Sequence, residues 1–285
     1  MKSHSILFII IPVHKRKEFT KNCLLSLRQQ TYKDFKAVVT DDGSTDGTAE
    51  MLANEFPEVH VITGDGNLWW TASTNLGVQY ALENKADYIL TLNNDTIVTK
   101  DFLEKMIYWA EKTPNALLGA LALDADTKQP VYGGEIINWK WANSKFLLDI
   151  LPKEHWCGLH EVTHFPGRGL LIPAEVFRKV GLYDGKNFPH YMADYDLTHR
   201  AIRTGFNVYC NFDAKLYAYP EVSGDAENRK NKSLKNYYNH LFGIKGGGNL
   251  RNFTLYAFKN CPTKLIFPFL IIGYMRRITG YLVKG

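Results

Sequence analysis

The sequence predicts an α/β protein built on a doubly wound, mostly parallel sheet flanked by helices, with a helical, basic C-terminal tail. Three observations carry that prediction. Short, continuously apolar runs alternate with amphipathic helical patterns through the first half of the chain; strands buried on both faces of a parallel sheet have this character. The order strand, helix, strand, helix is that of βαβ units. Polar, glycine-bearing loops follow the second, third and fourth runs, at the edge where open parallel sheets bind ligands.

The expected strands are Ile6 to Val13, Phe35 to Thr40, Val59 to Thr63, Tyr88 to Leu92 and Leu117 to Leu123. Between them Phe19, Cys23, Leu24 and Leu27 share one helical face, and a second helix follows the Asp46-Gly47 turn. A third runs from Thr71 to Glu83, and a fourth carries Phe102, Met106 and Ala110. Residues from about Asp126 to Thr163, rich in Trp, Gly and Asn, read as an insertion or acceptor-side subdomain. Regularity returns with an apolar run in Gly167 to Ile172, a helix Glu175 to Val180, the turn Leu182-Tyr183-Asp184-Gly185 and a helix beginning near Asp194. Strands are expected around Phe206 to Cys210 and Leu216 to Tyr219, then a basic helical tail from Arg229, broken at Gly246-Gly247-Gly248.

Composition narrows the function classes. With 285 residues, 45% hydrophobic and 22% charged, the chain is neither collagen-like, disordered nor a coiled coil. Its net charge of +5 is too mild for a nucleic-acid binder but suits polyanionic ligands or an anionic membrane surface. Four cysteines without a CxxC pair or zinc-spaced histidine point to a reduced, cytoplasmic setting. The run Ile6 to Val13 meets Pro12 and then Lys15-Arg16-Lys17-Glu18, so it is expected to be a buried strand, not a signal peptide. The stretch Leu265 to Arg277, apolar through Met275 and then basic, falls short of the ~20 apolar residues that span a bilayer. A buried helix and an interfacial anchor both fit it, and the flanking Lys264, Arg276, Arg277 and Lys284 favour peripheral attachment to the inner face of the plasma membrane.

The loops hold the candidate chemistry. In Asp41-Asp42-Gly43-Ser44-Thr45-Asp46-Gly47-Thr48 a carboxylate at a strand's carboxyl end can accept from a base N–H or a ribose hydroxyl, while the next helix N-terminus faces diphosphate. The same residues also suit a plain strand-to-helix turn with Ser44, Thr45 or Asp46 as N-cap. Asn93-Asn94-Asp95 brings one more carboxylate to this rim; Mg²⁺ or Mn²⁺ can be held by one Asp plus diphosphate and water. Trp69-Trp70 offer flat apolar faces for sugar C–H surfaces, or simple packing. On a helix from Asp194, Asp196 and Arg200 are four apart and can pair, whereas Asp194 has Leu197 and Thr198 at those spacings. Asp194 is thus the freer carboxylate. His14, His190, His199 and His240 are scattered and expected to be structural.

Taken together, Pro12-Val13, Ser26-Leu27 with Gln29-Gln30-Thr31-Tyr32, the Asp41 to Thr48 loop, Asn75-Leu76-Gly77, Asn93-Asn94-Asp95 and Asp194-Tyr195-Asp196-Leu197 with Arg200 resemble the family 2 inverting glycosyltransferases of the GT-A fold. The likeness runs from about Ile6 to Cys210. Within the family it is nearest to the non-processive, rhamnosyltransferase-like members that build bacterial surface polysaccharides, and no QxxRW-type motif is present. It implies a UDP- or dTDP-sugar donor, a saccharide or lipid-linked saccharide acceptor, and a divalent cation, Mg²⁺ or Mn²⁺. By resemblance Asp42 reads the pyrimidine with Ile11 beside it, Asp95 holds the metal and Asp194 is the catalytic base. The remaining donor candidates are Pro12, Asn67, Trp70, Asn75, Asn93 and Asn94; the acceptor candidates are Trp69, Arg168 and Tyr191.

Residues 1–125 then form the sugar-nucleotide half, 126–225 the acceptor and catalytic-base half of the same domain, and 226–285 the tail. The sequence departs from the family at three points: Asn93 replaces the first acid of the DxD signature, Ala193 stands where Glu is common, and Tyr217-Ala218-Tyr219-Pro220 occupies a region that often offers a metal-binding His. Two rivals follow. A nucleotidyltransferase needs a basic, glycine-rich phosphate loop after the first strand, and Lys15-Arg16-Lys17 is basic without glycine. A catalytically weak sugar-nucleotide-binding protein would explain Asn93 and Ala193.

Overall fold

The computed structural model describes residues 5–219 and 233–283. Its first half follows the expected alternation: β1 (Leu7–Val13), α1 (Lys17–Arg28), β2 (Phe35–Asp41), α2 (Thr48–Glu55), β3 (His60–Thr63), α3 (Trp69–Glu83), β4 (Tyr88–Thr91), β5 (Thr96–Val98), α4 (Phe102–Lys112) and β6 (Ala116–Asp124). β1 is buried at every position, as a central strand covered by helices on both faces must be. On α1 the predicted stripe of Cys23, Leu24 and Leu27 faces the core.

The region after β6 holds β7 (Pro130–Tyr132), the hairpin β8 (Glu135–Asn138) and β9 (Asn143–Phe146), the turn of helix α5 (Leu147–Ile150) and β10 (Leu159–Glu161). β11 (Leu170–Pro173), α6 (Ala174–Val180), α7 (Ala193–Arg203) and β12 (Asn207–Ala218) complete the sheet. The expected pair of strands near 206–210 and 216–219 is one strand, with a register shift between Asn211 and Lys215. Such a bulge breaks the hydrophobic pattern without ending the pairing.

One sheet runs β10-β12-β6-β11-β4-β1-β2-β3. β3, β2, β1 and β4 are parallel neighbours, as are β6 and β12, while β11 is inserted antiparallel between β4 and β6. Both halves of the chain therefore share a single sheet. The order reverses at β1, with β2 on one side and β4 on the other, and the crevice beyond such a switch point is where doubly wound sheets bind ligands.

The tail helices α8 (Leu234–Phe242), α9 (Leu250–Asn260) and α10 (Ile266–Val283) pack onto this body. Phe253, Tyr256 and Ala257 of α9 and Phe269 and Leu270 of α10 are buried. Trp139 of the inserted region lies 5.9 Å from the Tyr256 ring and 5.1 Å from Phe269, so it joins the tail to the core. Arg277, expected among the bases at the membrane, instead turns inward with its guanidinium 3.5 Å from the centroid of Phe253. Arg229, Lys284, Pro220 and the 225/226 boundary lie outside the described residues.

Candidate functional site

β2 delivers Asp42, 3% exposed, beneath the loop that follows β3. Its Oδ1 accepts the Gly66 N–H at 2.8 Å; its Oδ2 accepts those of Leu68 at 3.0 Å and Trp69 at 3.3 Å. Gly43 has φ +64°, and a Cβ there would stand 2.9 Å from the Gly66 nitrogen, so glycine permits the close approach of the two loops. Three of the carboxylate's roughly four acceptor directions are thus committed to holding the loop. His14 lies against the Asp42 carbonyl, its Nδ1 2.6 Å away. Ile11 is fully buried inside β1, which places it in the core and not beside a ligand; Pro12 is buried in the same strand. Asn67 is exposed on the loop, its N–H donated to Asp65.

The loop held by Asp42 presents the tryptophan pair. Trp69 adopts φ 59°, is 38% exposed, meets His190 edge-on at 6.3 Å and has the Lys245 Nζ 5.6 Å from its centroid. Trp70 faces inward. Its Nε1–H donates to Asn93 Oδ1 at 3.0 Å, and its ring rests against Gly167, where any Cβ would approach within 2.4 Å. Trp69 is therefore the open aromatic face, while Trp70 joins the loops after β3 and β4 to the one before β11.

In Asn93-Asn94-Asp95 the three side chains diverge. Asn94 is buried and donates to Thr20 Oγ1 on α1 at 2.9 Å, so its side chain serves the helix contact, contrary to its expected place at the donor. Asp95 Oδ2 pairs with Arg16 Nη1 at 3.0 Å. No group of three His, Cys, Asp or Glu able to hold a metal occurs among the described residues. The donor chemistry still fits a hard cation: Asp95 keeps its Oδ1, and Mg²⁺ or Mn²⁺ can complete its shell with phosphate oxygens and water.

Asp194 is the second residue of α7, one position after Ala193, which follows Met192 at φ 71°. Its Oδ2 accepts the Gly167 N–H and its Oδ1 the Tyr195 N–H, each at 2.9 Å. Burial raises this carboxyl above the usual range, against the pull of those two amides. Arg168, half-buried beside Gly167, has no ion-pair partner among the described residues. Asp196 contrasts fully. It is 0% exposed, paired with Arg200 at 2.8 Å as its spacing predicts, and it also accepts from Lys259 and Asn260 of α9.

Asn75, expected at the donor, commits both ends of its amide to the Tyr183 backbone, donating to the carbonyl at 2.9 Å and accepting at 3.1 Å. It clamps the turn that leads to α7. Tyr191 packs edge-on to His190 at 4.6 Å.

Several groups near the site carry no sequence signal. The His190 Nδ1 is buried without a hydrogen-bond partner among the described residues, and burial, then Lys245 and Arg16, pushes the imidazole down to about 4. Behind Asp194, the Tyr195 hydroxyl donates to Glu135 at 3.0 Å, and Glu135 lies 3.2 Å from His164 Nε2. Burial works against the Glu135 charge, but His164, Ser144 and Tyr195 hold the carboxyl down at about 2. Backbone strain is present here too. Lys15, Arg16, Trp69 and Met192 are non-glycine residues with φ near +60 to +70°, each costing on the order of 1–3 kcal/mol, and strain of this kind gathers at ligand sites.

Contacts thus link Asp42 to Trp69, Trp70 to Asn93 and Gly167, and Gly167 to Asp194. The glycosyl transferase family 2 model matches residues 8–161, and that of glycosyl transferase family group 2 matches residues 88–281. A low-salt glycan biosynthesis hexosyltransferase of Haloferax volcanii, Agl10, is 26% identical over 208 residues, 71% of this chain and 63% of that protein. An uncharacterized glycosyltransferase of Rickettsia typhi is 26% identical over 212 residues, 73% of this chain and 62% of that one. The chain thus spans a little over three fifths of these relatives.

Among solved structures, GalNAc-T7 with UDP, GalNAc and Mn²⁺ superposes with a TM-score of 0.65 at 13% identity, covering 98% of this chain and 56% of that one. S. aureus TarS 1–349 with UDP gives 0.57 at 12% identity, covering 97% and 70%. These likenesses establish the GT-A fold. With a family model matching more than half of its length, the chain belongs to glycosyl transferase family 2.

Proposed function

We propose that this protein is an inverting glycosyltransferase that moves a hexosyl or deoxyhexosyl group from a UDP- or dTDP-sugar to a saccharide or lipid-linked saccharide. It would do so in cell-surface polysaccharide biosynthesis, in the cytoplasm at the inner face of the plasma membrane. The observation that carries this reading is the continuous set of contacts from Asp42 through the tryptophan pair and Gly167 to Asp194, which joins the expected donor end to the expected base. Family membership and neighbours with UDP bound support it.

In this mechanism Asp194 removes the proton from an acceptor hydroxyl as its oxygen attacks the anomeric carbon from the face opposite the diphosphate, which inverts that centre. The Gly167 and Tyr195 amides fix the carboxylate, and burial strengthens it as a base. Trp69 offers the sugar an apolar face. Asp42 orders the loop and keeps one acceptor direction for a pyrimidine N3–H. Arg16, paired with Asp95, brings positive charge to the cation's end of the site, and Arg168, next to the Gly167 that Asp194 holds, stands on the acceptor side. Asp95 would hold Mg²⁺ or Mn²⁺, and the cation when bound neutralises charge on the diphosphate.

Calorimetry with UDP, dTDP and GDP, with and without Mn²⁺, followed by NMR of the anomeric configuration of the product, tests the proposal. Binding of UDP or dTDP and an inverted product are expected. Retention of configuration, or GDP bound more tightly than both pyrimidine nucleotides, would overturn it.

A further inference from the structure

Charge is distributed very unevenly along this chain. The last acidic residue is Glu227; the 58 residues from Asn228 to Gly285 hold 11 Lys and Arg and no Asp or Glu. Residues 1–227 carry all 29 acids against 23 bases, so the body has a net charge of −6 and the C-terminal segment +11. A sign asymmetry of this size marks a surface for a polyanion or an anionic membrane.

The same segment exposes apolar side chains in register. On α8, Leu234, Tyr238 and Phe242 recur every fourth residue and are 54 to 88% exposed. On α10, Phe267, Ile271, Met275 and Ile278 follow at i, i+4, i+8 and i+11 and are 40 to 72% exposed. The other face of α10 packs inward through Ile266, Phe269, Leu270 and Tyr281. α8 and α10 are fastened together where the Tyr237 hydroxyl donates to the Ile278 carbonyl at 3.0 Å and the Tyr237 and Tyr281 rings meet at 5.0 Å. Lys235, Lys264 and Arg276 stand exposed on the same two helices and their approach. No helix among the described residues is long and apolar enough to cross a membrane.

We infer that the exposed face of α8 and α10 docks on an anionic lipid surface, its apolar stripe among the headgroups and its bases on lipid phosphates. A second copy of the chain fits the face poorly. A two-fold interface sets the same patch against itself, so Lys235, Lys264 and Arg276 would meet their own counterparts with no acid in the segment to pair them, and like charges across an interface oppose association. Docking also has a consequence for the site, resting on the function proposed above. The loop from α8 to α9 carries Lys245 to Trp69, so the mouth of the site lies one loop from the docked face, where a lipid-linked acceptor would be presented.

Flotation of the full chain with vesicles tests the inference. Binding to 1:1 POPC/POPG vesicles and not to POPC alone is expected. Raising NaCl from 0.1 to 1 M, which shortens the Debye length from about 10 to about 3 Å, should release it. The triple variant Phe267→Ser/Ile271→Ser/Met275→Ser, altered only at exposed positions, should lose about tenfold or more in vesicle affinity with unchanged thermal unfolding. Lys264→Glu/Arg276→Glu should do the same with the stripe intact. Absence of binding to POPG vesicles, or undiminished binding by both variants, overturns the inference. So does a wild-type dimer in sedimentation that the triple variant turns into monomers, since the face would then be filled by a second copy. UDP calorimetry on the same samples keeps the two readings apart: vesicle binding without nucleotide binding defeats the proposed function alone.

Discussion

Asp194→Asn and Asp196→Asn should fail in opposite ways. At Asp194 the amide keeps the shape but cannot take a proton, and loss of a general base lowers rate roughly 10²- to 10⁴-fold, about 3 to 5 kcal/mol of barrier. One of its two oxygens becomes an NH₂ facing a backbone N–H donor, from Gly167 or Tyr195. That costs about 1 kcal/mol of stability, little beside the rate effect. At Asp196 the carboxylate is fully buried against Arg200 and Lys259. Neutralising one partner of such a cluster costs about 3–5 kcal/mol of stability. Nucleotide release from a panel of UDP- and dTDP-sugars, thermal unfolding and UDP calorimetry separate these outcomes. Asp194→Asn should lose only a few degrees of melting temperature, keep its donor affinity and lose turnover; Asp196→Asn should melt far earlier. Because burial raises the Asp194 carboxyl, wild-type turnover should also fall on the acid side at a higher pH than a free aspartate would set. Near wild-type turnover by Asp194→Asn would refute the assignment, as would an Asp196→Asn enzyme that is stable yet inactive.

Three further outcomes follow from the geometry. Asp42→Ala leaves the Gly66, Leu68 and Trp69 amides without their charged acceptor, so calorimetry should show weaker UDP and dTDP binding and chemical denaturation a loss of at least about 1.5–3 kcal/mol; an unchanged variant would mean the loop holds itself. Asp95→Ala should remove the Mn²⁺-dependent part of UDP affinity, an effect kept modest by Asn93. If Mn²⁺ acts equally on wild type and variant, Asp95 is only the ion-pair partner of Arg16. His190 and His199 are pushed down to about 4 and about 3, first by burial; the unfolded chain therefore takes up protons before the folded one does. Their contribution to stability is complete above about pH 6.5 and is lost as pH falls towards those values. Melting temperature should decline over that window, and His199→Gln should flatten the decline.

The alternation that defines the fold was readable because β1 and β6 are apolar almost throughout, β2 has an apolar centre in Ala37, Val38 and Val39, and the helices between them are amphipathic. Strand direction was not: Leu170 to Ile172 has the same buried character as the parallel strands β1 and β6, and only the chain's return path makes β11 antiparallel. At the site, residue type was readable and aim was not. Asn75, inside α3, and Asn94, on the same rim loop as Asn93, are amides of the same type, yet tertiary neighbours turn one to Tyr183 and the other to Thr20. The Glu135–His164 pair is a lone acid and a lone imidazole 29 positions apart, a spacing that no local motif encodes.

Arg277 shows where a finer reading of helical phase would have succeeded. Ile266, Leu270, Gly273, Arg277 and Tyr281 recur at steps of three or four, so they share one face of α10. In the structure that face is the buried one: Ile266, Leu270 and Tyr281 are covered, Gly273 abuts Phe253 so closely that a Cβ would come within 2.1 Å, and the guanidinium stacks over the same ring. Burial pushes Arg277 down to about 10, so it keeps its charge at neutral pH while lying on the aromatic face. Arg276, one residue earlier, is rotated away from that stripe and exposed. Two adjacent arginines thus do different work. Arg277 holds α10 to the body through Phe253, which fixes the direction in which Phe267, Ile271 and Met275 point, and Arg276 stands at the edge of the face they form.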